Sequence, residues 1–207
     1  MIRDRALHWW KSAGVGHHLG VADIAPSELI DGVYIVTPQI FGDERGQFVE
    51  TYRKEWIPGA VEMIQANRAD RSEGCLVGLH YHRFQADYWY VPFGRALVLL
   101  HDLREGGPTD GATQMLEVSG TDHRCVYIPP GVAHGFYALS DMTITYLVDG
   151  YYNPEDELGV LWNDPELGLD VPNASPILSE RDKTNPLRRD IPAELRPNWN
   201  KVRGGGS

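Results

Sequence analysis

Cysteine is scarce in this chain: Cys75 and Cys125 are its only two, and neither belongs to a Cys-x-x-Cys pair. That excludes a disulfide framework or a thiolate metal knuckle and leaves buried thiols in a reducing compartment as the expectation. Positive charge is also in short supply, with 19 Lys and Arg against 29 Asp and Glu and a formal net charge of −10. Nucleic acid and anionic membranes attract a basic face, so neither is an expected partner. An anionic small ligand would need locally placed arginines. No uninterrupted apolar stretch approaches membrane-spanning length, and the segment around Asp4 and Trp9-Trp10-Lys11 lacks the apolar centre of a signal peptide. The expectation is a cytoplasmic protein. Internal repeats and low-complexity tracts are missing, apart from Gly204-Gly205-Gly206-Ser207, which reads as a linker.

The chain does contain many short runs of valine, isoleucine, leucine and aromatics separated by turn residues. They are Val33–Thr37, Phe48–Tyr52, Val61–Gln65, Leu76–Tyr81, Tyr88–Val91, Ala96–Leu100, Gln114–Val118, Cys125–Ile128, Gly135–Leu139 and Thr143–Val148. Ten such runs, with breaks such as Gly106-Gly107-Pro108, predict an all-β barrel or sandwich. After Tyr152 the pattern turns irregular and proline-rich, as expected of a tail wrapping the barrel. The organisation read from this is an N-terminal extension over 1–30 with a short helix at Arg5–Ser12, a single domain over 31–203, and the linker over 204–207. Trp9-Trp10 read as an interface or core plug, and His17-His18 as solvated or facing a neighbouring subunit.

Between Gly74 and Gly94 stand His80, His82 and Asp87; two histidines at i and i+2 on a strand direct their imidazoles to one face. A third imidazole, His134, follows the turn Pro129-Pro130-Gly131. These two stretches resemble the signature motifs of the cupin superfamily, whose small β-barrel often holds a metal through three histidines and one carboxylate. The position that normally ends the second motif with Asn is Ala138. The fold class implied is a cupin jelly roll. A hydrogen-bonded polar interior without metal remains the alternative for this set.

A longer ordered series then narrows the family. It runs through Asp43-x-Arg45-Gly46-x-Phe48-x-Glu50, Gln65-x-Asn67, Gly78-Leu79-His80-Tyr81, Asp102-Leu103-Arg104, Ile128-Pro129 to Phe136, Tyr151-Tyr152-x-Pro154, Glu157-x-Gly159, Trp162-Asn163-Asp164-Pro165 and Leu178-Ser179-x-x-Asp182. This resembles the dTDP-4-dehydrorhamnose 3,5-epimerase family, isomerases that remove a proton beside a ketone and return one on the opposite face. By that resemblance His80 is the base, Asp182 supports its imidazole and Tyr146 is the acid. Arg45, Glu50, Gln65, Asn67, His134, Glu157 and Arg181 would contact nucleotide and sugar, and Tyr152 would stack on the base. The implied partner is a dTDP-linked 4-keto-6-deoxy sugar, and the implied assembly a homodimer.

Two departures from the family pattern matter. Val77 replaces the arginine of the usual Arg-Gly-Leu-His, and Asp87 stands where the family carries a lysine credited with stabilising the enolate oxygen. A carboxylate there repels an enolate unless protonated or paired with a cation. With His82 in place of the common glutamine, these changes restore a metal-cupin pattern. The expectation is a divalent transition metal (Fe, Mn, Ni or Zn) on His80, His82, Asp87 and His134, and no organic cofactor. It carries a conflict, because a histidine bonded to metal is not a free base. Metal-assisted or single-site epimerisation, a metal-dependent cupin oxidase or isomerase, and a non-catalytic sugar-nucleotide binder are the readings left open.

Overall fold

The computed structural model describes residues 22–203. The helix expected at Arg5–Ser12, Trp9-Trp10, His17-His18 and the linker at 204–207 lie outside them. Two antiparallel sheets face each other as a jelly roll. The six-stranded sheet has the order β1 (Ala22–Pro26), β2 (Tyr34–Pro38), β10 (Cys125–Ile128), β7 (Asp87–Phe93), β12 (Met142–Val148), β5 (Gln65–Arg71). The five-stranded sheet has the order β13 (Leu158–Gly159), β6 (Leu76–Tyr81), β11 (Val132–Ala138), β8 (Arg95–Asp102), β9 (Thr113–Ser119). A separate hairpin pairs β3 (Ile40–Asp43) with β4 (Gly46–Val49).

Alternation explains how the layers form. Along β8, Ala96, Val98 and Leu100 point between the sheets and meet Ile128, Val132, Phe136 and Ile144 in one buried cluster. The opposite face of the same sheet buries Leu76, Leu79, Tyr81 and Leu99 under the C-terminal tail, through Val160, Trp162, Leu167 and Ile191. The tail therefore does wrap the barrel, and it supplies the outer cover that a half-exposed sheet needs.

The boundary expected at residue 30 falls too late. β1 pairs with β2 from Ala22↔Pro38 to Pro26↔Tyr34, and Ile30 is fully buried in the barrel core, so residues from 22 onward are part of the sheet. The run Val61–Gln65 is also displaced, since the strand begins at Gln65 and continues through polar residues to Arg71. Cys75 and Cys125 are free thiols, the first half-buried and the second buried, and burial pushes the Cys125 thiol up to about 12.

Candidate active site

One end of the barrel encloses a cavity of about 340 Å³. Strand periodicity places its walls. β5 contributes every second residue, Gln65, Asn67, Ala69 and Arg71, while β12 contributes Ile144, Tyr146 and Val148, and β7 contributes Asp87 and Trp89. In register, Asn67, Tyr146 and Trp89 form one row across three strands, and Gln65, Val148 and Asp87 form the next. The facing sheet supplies Val77 and His80 from β6 and His134 and Phe136 from β11. His82, just beyond β6, with Tyr152 and Glu157, completes the rim.

A local irregularity turns both Val77 and His80 toward the cavity. Gly78 has φ +107°, and a Cβ there would stand 2.7 Å from the His134 carbonyl oxygen, so only glycine fits where β6 shifts register against β11. The shift keeps His80 opposite His134.

His80 forms a dyad with Asp182. Its Nε2–H donates to Asp182 Oδ1 at 2.6 Å, and the Ser179 hydroxyl donates to Asp182 Oδ2 at 2.9 Å. Ser179 also caps the short helix α1 (Glu180–Lys183) by accepting from the Asp182 backbone N–H. Burial pushes the Asp182 carboxyl up, but the bond and charge of His80, with the bonds from Ser179 and Gly78, outweigh it and hold the group below its ordinary value. An ionised Asp182 accepts at both oxygens, which fixes the proton on His80 Nε2 and leaves a lone pair on Nδ1. Nδ1 lies 3.8 Å from Glu157 Oε1 at the cavity edge.

Because the folded value is depressed below 3.8, the dyad contributes stability above that pH, and the contribution is lost as pH falls through the folded value. Asp182→Asn is therefore expected to flatten the acid limb of a stability–pH curve below about pH 4, as read by urea melts at pH 3 and pH 6. Ser179→Ala removes the cap and one carboxylate bond together. It should cost about 1–2 kcal/mol in the same melts.

The imidazoles of His82 and His134 are held differently. His82 Nδ1–H donates to the Asp156 carbonyl at 2.8 Å, and His134 Nδ1–H donates to the Val132 carbonyl at 2.9 Å. Both Nε2 atoms are consequently lone-pair acceptors. Asp156 is itself buried and takes the backbone N–H groups of Arg83 and Phe84 and the Arg83 guanidinium, all at 3.0 Å, which clamps the loop bearing His82. Asp87 accepts from Gln85 Nε2 and from Trp89 Nε1, each at 3.0 Å. One ligand atom each of His82, Asp87 and His134 lie within 4.8 Å of one another. His80 is not in this group. Of the four residues expected to hold a metal, His80 thus stands apart from the other three, with its Nε2 turned to a carboxylate of the tail.

Burial pushes Tyr146 up, with the nearby charges of Asp87 and Glu157 adding to it against Arg71, so its phenol stays protonated at neutral pH. His134 is pushed down to about 4 by burial, against the pull of Asp87. For Glu157, burial raises the carboxyl, but the bond from Arg181 and the charges of His82 and His80 bring it below its ordinary value.

Of the residues expected at the site, His80, His82, Asp87, His134, Tyr146, Gln65, Asn67, Tyr152 and Glu157 line the cavity, and Asp182 stands behind His80. Three do not. Arg45 sits at the β3–β4 turn, ion-paired to Asp43 through Nε at 3.1 Å. Glu50 is bound to Arg53 at 2.6 Å. Arg181 reaches the outside of the rim, where it holds Glu157 Oε1 at 2.9 Å and the carbonyls of Glu157 and Leu158. Sequence reasoning missed Arg71, the one arginine or lysine among the described residues lining the cavity. The signal for it was the spacing Gln65-x-Asn67-x-x-x-Arg71, which keeps one strand face.

A jelly roll with a His–Asp dyad on one wall and a protonated tyrosine on the other defines a cupin-fold cavity suited to moving protons on two sides of a bound ligand. Comparison with known proteins carries this to the family. Residues 27–190 match the dTDP-4-dehydrorhamnose 3,5-epimerase family, and the chain belongs to it. The dTDP-4-dehydrorhamnose 3,5-epimerase of Neisseria gonorrhoeae is 37% identical over 167 residues, 77% of this chain, which spans about half (51%) of that relative's length. Among solved structures, dTDP-6-deoxy-D-glucose-3,5-epimerase of Legionella pneumophila, in complex with dTDP-4-keto-L-rhamnose, superposes with a TM-score of 0.81 at 35% identity, covering 86% of this chain and 98% of that one. A 3′-monoepimerase of Streptomyces bikiniensis in complex with dTDP-quinovose gives 0.79 at 31% identity, covering 86% and 95%. No helix among the described residues is long and apolar enough to cross a membrane.

Proposed function

We propose that this chain epimerises a dTDP-linked 4-keto-6-deoxyhexose at one or both carbons flanking the ketone. The observation that carries the reading is the disposition of a base and an acid on opposite walls of one cavity, His80 on β6 and Tyr146 on β12. His80 Nδ1 takes the proton from the carbon beside the ketone. The C–H electron pair becomes the new C=C bond, and the carbonyl pair moves onto oxygen. Tyr146 O–H then protonates the same carbon from the other face, and the pair on oxygen collapses to restore the ketone. The reaction is redox-neutral and the sugar's own ketone accepts the electron pair, so the step calls for no organic cofactor.

Gln65, Asn67 and Tyr152 support nucleotide-sugar binding, the first two hydrogen-bonded to each other at 3.0 Å and the last exposed at the rim where a base could stack. Arg71 ends β5 and Val77 lies near the start of β6, at the same end of the cavity. A pyrophosphate contact from Arg71 would replace the arginine that the family pattern has at Val77. Arg71→Ala is expected to weaken dTDP binding by about 2 kcal/mol, roughly thirtyfold, in calorimetry. Equal affinity in parent and variant would put Arg71 outside the phosphate site.

The same reading includes a homodimer, favoured by the β3–β4 hairpin, which stands apart from both sheets with Ile40 and Phe48 exposed. The function is tested by incubating the protein with dTDP-4-dehydro-6-deoxyglucose in heavy water and following deuterium at the carbons on either side of the ketone by NMR. Exchange with inversion at one position identifies a monoepimerase, and exchange with inversion at both a 3,5-epimerase. No exchange would leave a sugar-nucleotide binder.

A further inference from the structure

We infer that His82, Asp87 and His134 form a three-ligand site for a divalent transition metal, built beside the His80–Asp182 dyad and separate from it. Three observations support it together. First, the ligand atoms already converge, with His134 Nε2 3.9 Å from Asp87 Oδ2 and all three within 4.8 Å. Ligands on one tetrahedral ion with bonds of roughly 2.1 Å lie about 3.4 Å apart, so a contraction of up to about 1.4 Å closes the set. Second, both imidazoles use Nδ1–H on a backbone carbonyl and present the Nε2 lone pair, which is the orientation that outer hydrogen bonds impose on metal-bound histidines. The edge of Trp89 against His134, with ring centroids 5.3 Å apart, and the donors from Trp89 and Gln85 to Asp87 fix the remaining degrees of freedom.

Third, Asp87 is a carboxylate with 3% exposure and no lysine or arginine within ion-pair distance among the described residues. A buried carboxylate without a cation is costly, and a metal ion is the partner that this donor set would accept. Two imidazoles and one carboxylate suit Mn, Fe, Co, Ni or Zn and not the all-oxygen preference of Mg or Ca.

The inference deepens the epimerase reading and, for its functional part, rests on it. Where the family pattern has a lysine, this chain has Asp87, and a bound dication would return positive charge to the cavity. When bound, the ion would supply Lewis acidity to the cavity. The remaining residues keep their own tasks: His80 is held by Asp182 as a base free of metal, and Tyr146 keeps its proton. The conflict between ligand and base is thereby removed.

The test uses the full chain, purified without metal-affinity resin, stripped with EDTA and titrated with Co(II), with Zn(II) and Mg(II) as competitors. One equivalent should bind with a dissociation constant of about 1 µM or tighter, displaced by Zn(II) and not by Mg(II). Asp87→Asn and His82→Ala should each weaken binding at least about 100-fold. Asp87→Asn retains the acceptor oxygen for Trp89, so a melting temperature within a few degrees of the parent separates ligand loss from misfolding. His80→Ala should bind Co(II) within about threefold of the parent. Failure of the folded parent to bind Co(II) or Zn(II) overturns the site, and equal loss in His80→Ala and Asp87→Asn overturns its separation from the dyad. Full deuterium exchange in the stripped protein overturns the Lewis-acid role alone. Metal binding as described with no exchange in any metal form overturns the epimerase reading and leaves the site standing.

Discussion

Replacing His80 by alanine is expected to abolish deuterium incorporation from heavy water at the carbons next to the ketone, a fall of roughly 10³-fold or more, while leaving the fold and nucleotide affinity intact. The size follows from position. His80 is the group whose free lone pair, on Nδ1, is prepared by a hydrogen bond on its other nitrogen, and that bond comes from a residue 102 positions away. Asp182→Asn should be less severe but still about 100-fold or more, because an amide that donates toward Nε2 favours the opposite tautomer and removes the charge that stabilises the protonated imidazole. If His80→Ala kept parental exchange, another base would have to serve. Glu157, 3.8 Å from Nδ1, would be the next to replace.

Tyr146→Phe is expected to separate two measurements that move together in the parent. Exchange of the abstracted proton requires only the base side and should survive at a tenth or more of the parental rate. Net inversion, followed by NMR of the sugar ring, should fall by roughly 10²–10³-fold, the usual contribution of a positioned general acid. Because the phenol of Tyr146 is raised, it titrates above its ordinary 10.0, so acid function should persist through pH 9. Equal loss of exchange and inversion in Tyr146→Phe would assign the tyrosine to binding instead.

Legibility of the chain followed the physics of each segment. β6 and β10 coincide with the runs read from sequence, since Leu76–Tyr81 and Cys125–Ile128 are apolar strands bounded by turn residues. β5 was not legible. Its inward face is Gln65, Asn67, Ala69 and Arg71, because it lines a cavity for a polar ligand, and its outward face is polar as well, so no alternation of hydrophobicity marks it. β1 was missed for a related reason: it is an edge strand, whose Ala22–Pro26 buries little and is recognised only by its ladder with β2.

The candidate site divides in the same way. The sequence determined which groups could meet, because strand periodicity and the family's motif order bring His80, His82, Asp87, His134, Tyr146, Gln65 and Asn67 to one interior. It could not decide how the three histidines share their work. The spacing of His80 from His82 allows both to bind one ion, and only the return of the C-terminal tail, carrying Asp182 with Ser179 behind it, draws His80 away. Nor could it show that Arg45, Glu50 and Arg181 face their own ion-pair partners. Local sequence fixes the side of a strand on which a residue lies. The lone pair that an imidazole offers is set by the donor or acceptor at its other nitrogen, and such partners come from distant parts of the chain that only the tertiary structure brings together.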